Sequence, residues 1–168
     1  MANTYKLIAS STVGSGGAAN IEFTSIPATY TDLLVLATAR STRTGSVDDL
    51  VIQFNSSTSN LSGKRLYGTG SGTASDNLTD IRGFAVASGS TANTFSNNSF
   101  YIPNYTSSTN YKSVSVDAVN ENNATESYGG ITAGLWSNTA AITSIKLLAN
   151  NGNLEQYSTA YLYGIKNS

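Results

Sequence analysis

Cysteine and histidine are both absent from this chain of 168 residues, and proline occurs only twice. Without thiols the chain has no disulfides and no thiolate metal ligands. Without imidazole it has no Ser-His-Asp triad, no Cys-His pair and no histidine general base. These absences exclude most hydrolase and metalloenzyme designs. They leave the redox compartment open, because a reducing cytosol and an extracellular particle both accommodate a protein without cysteine.

Charge is also scarce. Charged residues make up 11% of the chain and the formal net charge is -1, whereas soluble domains usually have about 25% charged residues. The densest basic clusters are only pairs, Arg40 with Arg43 and Lys64 with Arg65. A nucleic-acid partner would require a basic stripe, so we expect none. No window approaches 18 apolar residues and the first residues form no signal peptide, so we also expect no membrane span and no secretion by that route.

Serine, threonine and asparagine fill 64 of the 168 positions. A surface of hydroxyl and amide groups loses little side-chain entropy on contact, which favours packing against neighbouring subunits or sugars. The same composition also follows from a strand-rich fold, because strands favour threonine and turns favour asparagine. Both interpretations remain open from composition alone.

Short runs of alternating apolar and polar residues, separated by glycine, asparagine, serine and aspartate, indicate strands and no helices. The pattern predicts an all-β protein, an antiparallel β-sandwich of jelly-roll-like form with about 8–10 strands. The length fits one domain, so residues 1–168 are expected to form a single β-sandwich domain. The predicted strands cover residues 5–13, 21–23, 32–40, 49–55, 81–87, 99–105, 111–119, 128–136, 143–149 and 155–165.

Three connections carry more specific predictions. The glycine-rich segment after residues 5–13 predicts a hairpin with residues 21–23. Residues 56–80 are predicted to be a long surface excursion with one short strand, and with the loop at 88–98 they are the expected place of partner contacts. Pro103 predicts that the strand at 99–105 either lies at a sheet edge or ends early.

Two strand faces predict close association with a neighbour. In residues 128–136 a face of small side chains, Gly130, Thr132 and Gly134, admits another sheet or another chain. In the last strand one face enters the core and the other needs a cover, which predicts self-association through sheet faces that include this strand. Its two faces carry Tyr157, Thr159, Tyr161 and Tyr163 on one side and Ser158, Ala160, Leu162 and Gly164 on the other.

The aromatic residues allow two interpretations. Exposed tyrosine and tryptophan on a β face stack on sugar rings or form interface hot spots. Tyrosine is also a preferred strand residue that packs in cores and across strands. The set comprises Tyr101, Tyr105, Tyr111, Tyr128, Trp136, Tyr157, Tyr161 and Tyr163.

Carboxylates are the remaining reactive groups. A glycosidase requires two of them about 5–10 Å apart, and Asp117 with Glu121 or Glu126 is the pair that proximity favours. The same segment offers oxygens for Ca²⁺ but lacks the order of an EF-hand loop. Acidic residues in asparagine-rich loops usually cap turns, so the sequence predicts no enzyme and no catalytic, cofactor-binding or metal-ligating residues. The other acidic candidates are Asp48, Asp49, Asp76, Asp80 and Glu155.

Four segments, residues 20–33, 51–55, 133–136 and 157–165, carry a resemblance across nearly the whole chain. The chain resembles small structural proteins of marine tailed bacteriophages, including those that infect cyanobacteria. The resemblance implies a virion component, made in the host cytoplasm, with a jelly-roll-like fold. Its implied role is a capsid decoration or knob protein that binds the major capsid protein, with a tail-fibre or receptor-binding and carbohydrate-binding module as the alternative. The implied partners are therefore virion proteins, further copies of the chain as a trimer, or a surface glycan.

Overall fold

The structure, a computed structural model, describes residues 4–123 and 126–166. These residues form thirteen β-strands in two sheets, and every pairing is antiparallel except that of β4 with β8. The all-β antiparallel sandwich predicted from the sequence is therefore confirmed. The strands are β1 Tyr5–Thr12, β2 Ile21–Phe23, β3 Asp32–Thr38, β4 Arg40–Ser41, β5 Val47–Phe54, β6 Leu61–Gly68, β7 Thr73–Leu78, β8 Ile81–Ala87, β9 Asn97–Ile102, β10 Lys112–Asn120, β11 Tyr128–Trp136, β12 Ile145–Ala149 and β13 Thr159–Ile165.

Eight of the strands have the nested pairing of a jelly roll. The first of these strands in the chain pairs with the last, and each following strand pairs with one nearer the middle of the chain. β1 pairs with β13, β2 with β12, β3 with β9, and β5 with β8. The larger sheet runs β1-β13-β3-β9-β10-β11-β6-β7 and the smaller runs β2-β12-β5-β8-β4. The hairpins β6–β7 and β10–β11 therefore widen only the larger sheet.

The strand count of about 8–10 expected for a jelly roll is too low, and residues 56–80 explain most of the difference. They form the hairpin β6–β7, so the predicted long excursion is wrong. Two of its cross-strand pairs are fully polar, Arg65 opposite Asp76 and Lys64 opposite Asn77. A hydrophobic alternation therefore does not mark β7. The predicted strand at 32–40 also divides, because the chain changes sheets at Ala39, between β3 and β4.

The predicted hairpin of β1 with β2 is also wrong, because these strands lie in different sheets. The glycine-rich segment carries the chain across the end of the sandwich, with positive φ at Gly16 and Gly17. Ala18 then bridges to Leu154. At Pro103 the second alternative is confirmed: β9 ends at Ile102, and it is a central strand between β3 and β10.

The small-residue face of β11 lies inside the sandwich. A Cβ atom at Gly134 would lie 2.7 Å from the Ile81 side chain of β8. The Thr132 hydroxyl donates a hydrogen bond to the Arg82 carbonyl oxygen at 3.0 Å. The second sheet, and not another chain, therefore fills this part of the face. In β13 the residues that enter the core are Ala160 and Leu162, which are fully buried.

One buried amide joins the two sheets. The Asn98 side chain of β9 accepts a hydrogen bond from the Phe84 N–H at 2.8 Å and donates one to the Phe84 carbonyl at 2.9 Å. It reaches β8 because residue 83 is glycine, where a Cβ atom would overlap the Asn98 amide oxygen. The sequence does not show that Asn98 makes this contact, although a glycine within a strand indicates that another group approaches the backbone closely.

We expect Asn98→Ala to lower the free energy of unfolding by about 2 to 5 kcal/mol, because it leaves the buried N–H and C=O of Phe84 unpaired. Gly83→Ala should cost about 1–3 kcal/mol through overpacking. The double variant should lose less free energy of unfolding than the two single variants lose together, because removing the amide frees the space that the new methyl group needs. Urea unfolding of the four proteins measures this coupling, and strict additivity would contradict the contact.

Candidate functional site

The solvent-facing side of the eight-stranded sheet, here called the outer face, carries apolar and hydroxyl side chains where a two-layer sandwich usually has polar ones. Strand register aligns its residues in two rows that cross the sheet. The first row contains Leu7, Tyr163, Leu34, Tyr101, Ser115, Ala133 and Lys64. The second row contains Ser10, Tyr161, Leu36, Ser99, Asp117, Ile131, Leu66 and Ser75.

Large apolar side chains on the outer face are widely open to solvent. Ile131 is 59% exposed, Leu66 is 57% exposed and Tyr161 is 42% exposed. Two shallow depressions flank Ile131, one of about 570 Å³ that reaches Val119 and one of about 410 Å³ that reaches Tyr101. In their row, Tyr161 and Leu36 form one apolar group and Ile131 and Leu66 form another, with Ser99 and Asp117 between them.

The size of the outer face lies between that of an ordinary surface patch and that of a specific protein interface. Eight strands about 4.8 Å apart and five residues long give a face of roughly 34 by 17 Å, about 600 Å². The largest apolar patch on a monomer is usually about 300–600 Å², and a specific interface buries about 800 Å² on each partner. The charges in the two rows are Asp117 and Lys64, so the centre of the face offers little electrostatic selectivity.

The predicted aromatic set is divided between the core and the surface. Tyr105 and Trp136 are fully buried, which confirms core packing for these two. Tyr101 lies on the outer face, where its hydroxyl donates a hydrogen bond to Asp32 at 2.8 Å and this bond raises the pKa of Tyr101. Tyr161 and Tyr163 also lie on the outer face, so the tyrosine side of β13 is the side left without a cover.

Several acidic candidates act in structural ion pairs. Asp49 of β5 binds Arg65 at 2.6 Å and Arg82 at 2.8 Å. Arg65 in turn binds Asp76 at 2.6 Å, and Arg82 binds Asp80. This series, which we call the charge ladder, ties the β6–β7 hairpin to the smaller sheet.

The three carboxylates of the candidate glycosidase pair have different surroundings. Asp117 lies on the outer face, Glu121 accepts a hydrogen bond from the Asn123 N–H at 2.7 Å, and Glu126 accepts one from the Ser46 hydroxyl. The intervening residues 124 and 125 lie outside the described residues. Among residues 4–123 and 126–166, no three acidic side chains are grouped so that they could hold a metal ion.

A small cavity at one end of the sandwich, here called the end pocket, lies where the β8–β9 and β12–β13 connections meet β4. Its volume is about 260 Å³. Its floor is built on Arg40, whose Nε donates to Glu155 at 2.9 Å and whose four terminal N–H groups reach backbone carbonyls of the β8–β9 connection. The lining residues are Arg40, Ala92, Asn93, Phe95, Glu155, Gln156 and Tyr157.

Sequence reasoning missed the end pocket. The sequence predicts partner contacts along the loop at residues 88–98, and not in a pocket. It also places Tyr157 in the last strand. The structure instead begins β13 at Thr159 and places Tyr157 in a turn with φ of 73°. No alternation pattern signals such a backbone conformation for a tyrosine.

Comparison of the chain with protein-family models, with curated proteins and with solved structures finds no match. Within the described part of the chain, no helix has the length and apolar character needed to span a membrane. The resemblance to phage structural proteins therefore rests on the sequence segments alone.

We expect Ile131→Thr to change the free energy of unfolding by no more than about 0.5 kcal/mol, because the outer face contributes little to the core. Val116→Thr is the matched control on the inner face of the neighbouring strand β10, where Val116 is buried. Burial of its hydroxyl should cost about 1–3 kcal/mol. Thermal or urea unfolding at low protein concentration measures both, and equal losses would show that the outer face belongs to the core.

Proposed function

We propose that this chain is a non-enzymatic structural subunit of a virus particle, a capsid decoration protein that binds the major capsid protein and associates with copies of itself. The observation that carries the proposal is the open, charge-poor outer face. A fold that completes its core and leaves about 600 Å² of apolar and hydroxyl surface uncovered is suited to assembly. The sequence resemblance supports a virion as the setting.

The occupant that we assign to the outer face is a second copy of the chain. Asp117 and Lys64 lie in different rows, so two outer faces meet with little repulsion between like charges. The estimated area approaches the amount that each partner contributes to a specific interface. Two outer faces that meet in this way form a two-fold dimer. The resemblance favours a trimer instead, in which the outer face of each copy contacts a different surface of the next copy. In either assembly, contacts with the capsid protein fall to the remaining surfaces.

The chemistry of the chain supports a role without catalysis. Histidine and cysteine are absent, and the carboxylates of Asp49, Asp76 and Asp80 are engaged by arginine. Asp48 is buried and accepts hydrogen bonds from the backbone N–H groups of Asp49 and Asn151. These carboxylates therefore stabilise the fold.

A second candidate function is a receptor-binding or carbohydrate-binding module of a tail fibre. The end pocket favours it, because an exposed tyrosine and two exposed side-chain amides surround a cavity of sugar size. This function is compatible with the same outer face, since the pocket is lined by other residues.

We expect sedimentation velocity at micromolar concentration to show an assembly larger than the 17.5 kDa monomer. Ile131→Lys and Tyr161→Ser should shift it to the monomer, because they place charge or lose contact area in the centre of the outer face. Tyr111→Ser is the control, since Tyr111 is exposed but lies outside the two rows. A single monomeric species that none of these substitutions changes would contradict self-association.

Cryo-electron microscopy of virions from a phage that encodes the chain tests its place in the particle. The decoration hypothesis predicts density for the jelly roll on the capsid surface and in contact with the major capsid protein. Density on a fibre would instead support the second candidate function. Particles that lack the chain altogether would contradict both.

A further inference from the structure

Tyr157 has a backbone conformation that tyrosine rarely adopts. It is the third residue of a turn closed by a hydrogen bond from the Ser158 N–H to the Glu155 carbonyl, and its φ is 73°. Type II turns place positive φ at this position and usually place glycine there. A bulky residue with positive φ is a genuine outlier, and such outliers concentrate at functional sites.

The ring of Tyr157 does not compensate for this conformation by packing. The residue is 64% exposed, and the turn is held by its backbone, since the Tyr157 N–H donates to the Val13 carbonyl at 2.9 Å. Glycine would keep that hydrogen bond and relieve the backbone. A tyrosine side chain thus occupies a backbone position that disfavours it, beside a cavity.

The polar groups of the end pocket favour a neutral ligand. All five N–H donors of Arg40 are used within the protein, so its charge is not offered to an anion. The Glu155 carboxylate is half-buried and forms an ion pair with Arg40 at 2.9 Å, so the pair has no net charge to attract an anion. Asn93 and Gln156 are exposed, and within the described residues their side-chain amides make no hydrogen bond. Amides and a carboxylate together supply the donors and acceptors that vicinal hydroxyl groups need.

We propose that the end pocket binds one neutral pyranose unit of a glycan. The sugar ring stacks on Tyr157, and its hydroxyl groups hydrogen-bond to the amides of Asn93 and Gln156 and to the free oxygen of Glu155. The volume of about 260 Å³ lies below the 300–1,000 Å³ of sites for drug-sized ligands, which fits a single ring. This inference rests on the second candidate function and names its site and its ligand class.

Saturation-transfer difference NMR with the full chain provides the test. The probes are methyl glycosides of glucose, galactose, mannose and N-acetylglucosamine, with glucuronic acid as the anionic comparison. We expect millimolar binding of at least one neutral glycoside and no binding of glucuronic acid. Failure of all four neutral probes, or a preference for glucuronic acid, would overturn the proposal.

Tyr157→Gly separates recognition from structure. It should abolish the NMR signal while the Tm rises by about 2–4 °C, the shift that relief of modest strain produces in a chain of this size. Binding that survives the substitution would refute the stacking role. A fall in Tm would show that the ring braces the fold, and that result would also refute it.

Asn93→Gly is the second variant, because Asn93 also has positive φ, of 65°, which glycine accepts without strain. It should weaken binding at least fivefold and leave the fold intact, and unchanged affinity would remove the amide from the site. Tyr111→Ser should bind as the unmodified chain does. Sedimentation velocity of Tyr157→Gly should match that of the unmodified chain, so that loss of the sugar site and loss of self-association are read separately.

Discussion

The unequal width of the two sheets is the constraint from which much of the structure follows. Five strands cannot cover the inner face of eight, and three further strands extend about 14 Å beyond them. The charge ladder holds the β6–β7 hairpin to the smaller sheet, because Arg65 forms an ion pair with Asp49 there. The Arg65 guanidinium also lies 5.1 Å from the Tyr67 ring centre and 4.9 Å from that of Phe84. Aromatic and ionic contacts thus replace the missing strands at that end.

Close packing of the sheets depends on where side chains are small. Gly134 admits Ile81, and Gly83 admits the Asn98 amide, so that two strands from different sheets share hydrogen bonds. Such contacts complete the core from the inside and require nothing from the opposite side of the larger sheet. Apart from the Tyr101–Asp32 hydrogen bond, the outer face contributes little to the core, so substitutions there should cost little stability.

The parts of the fold that alternation marks were predictable, and the parts that depend on polar pairing were not. β10 alternates buried and exposed residues along its whole length, and its prediction from Val114 and Val116 was nearly exact in its bounds. β7 has no such signal, because Asp76 is held by Arg65 across the ladder and not by burial. The β1–β13 pairing joins residues 147 to 160 positions apart, and the local sequence does not indicate it.

The two candidate sites, the outer face and the end pocket, also differ in how far the sequence predicts them. The tyrosine stripe predicted that one face of the last strand needs a cover, and register then places Tyr161 beside Leu36 on the outer face. The end pocket combines residues from two connections around Arg40, and its main signal is a backbone angle that sequence does not reveal. The outer face is broad and apolar, and the end pocket is small and polar. None of the residues that line the end pocket belongs to the two rows of the outer face. The proposed assembly and the proposed sugar site therefore do not compete for the same side chains, and several copies in one assembly would present several pockets, which would raise weak single-site affinity through avidity.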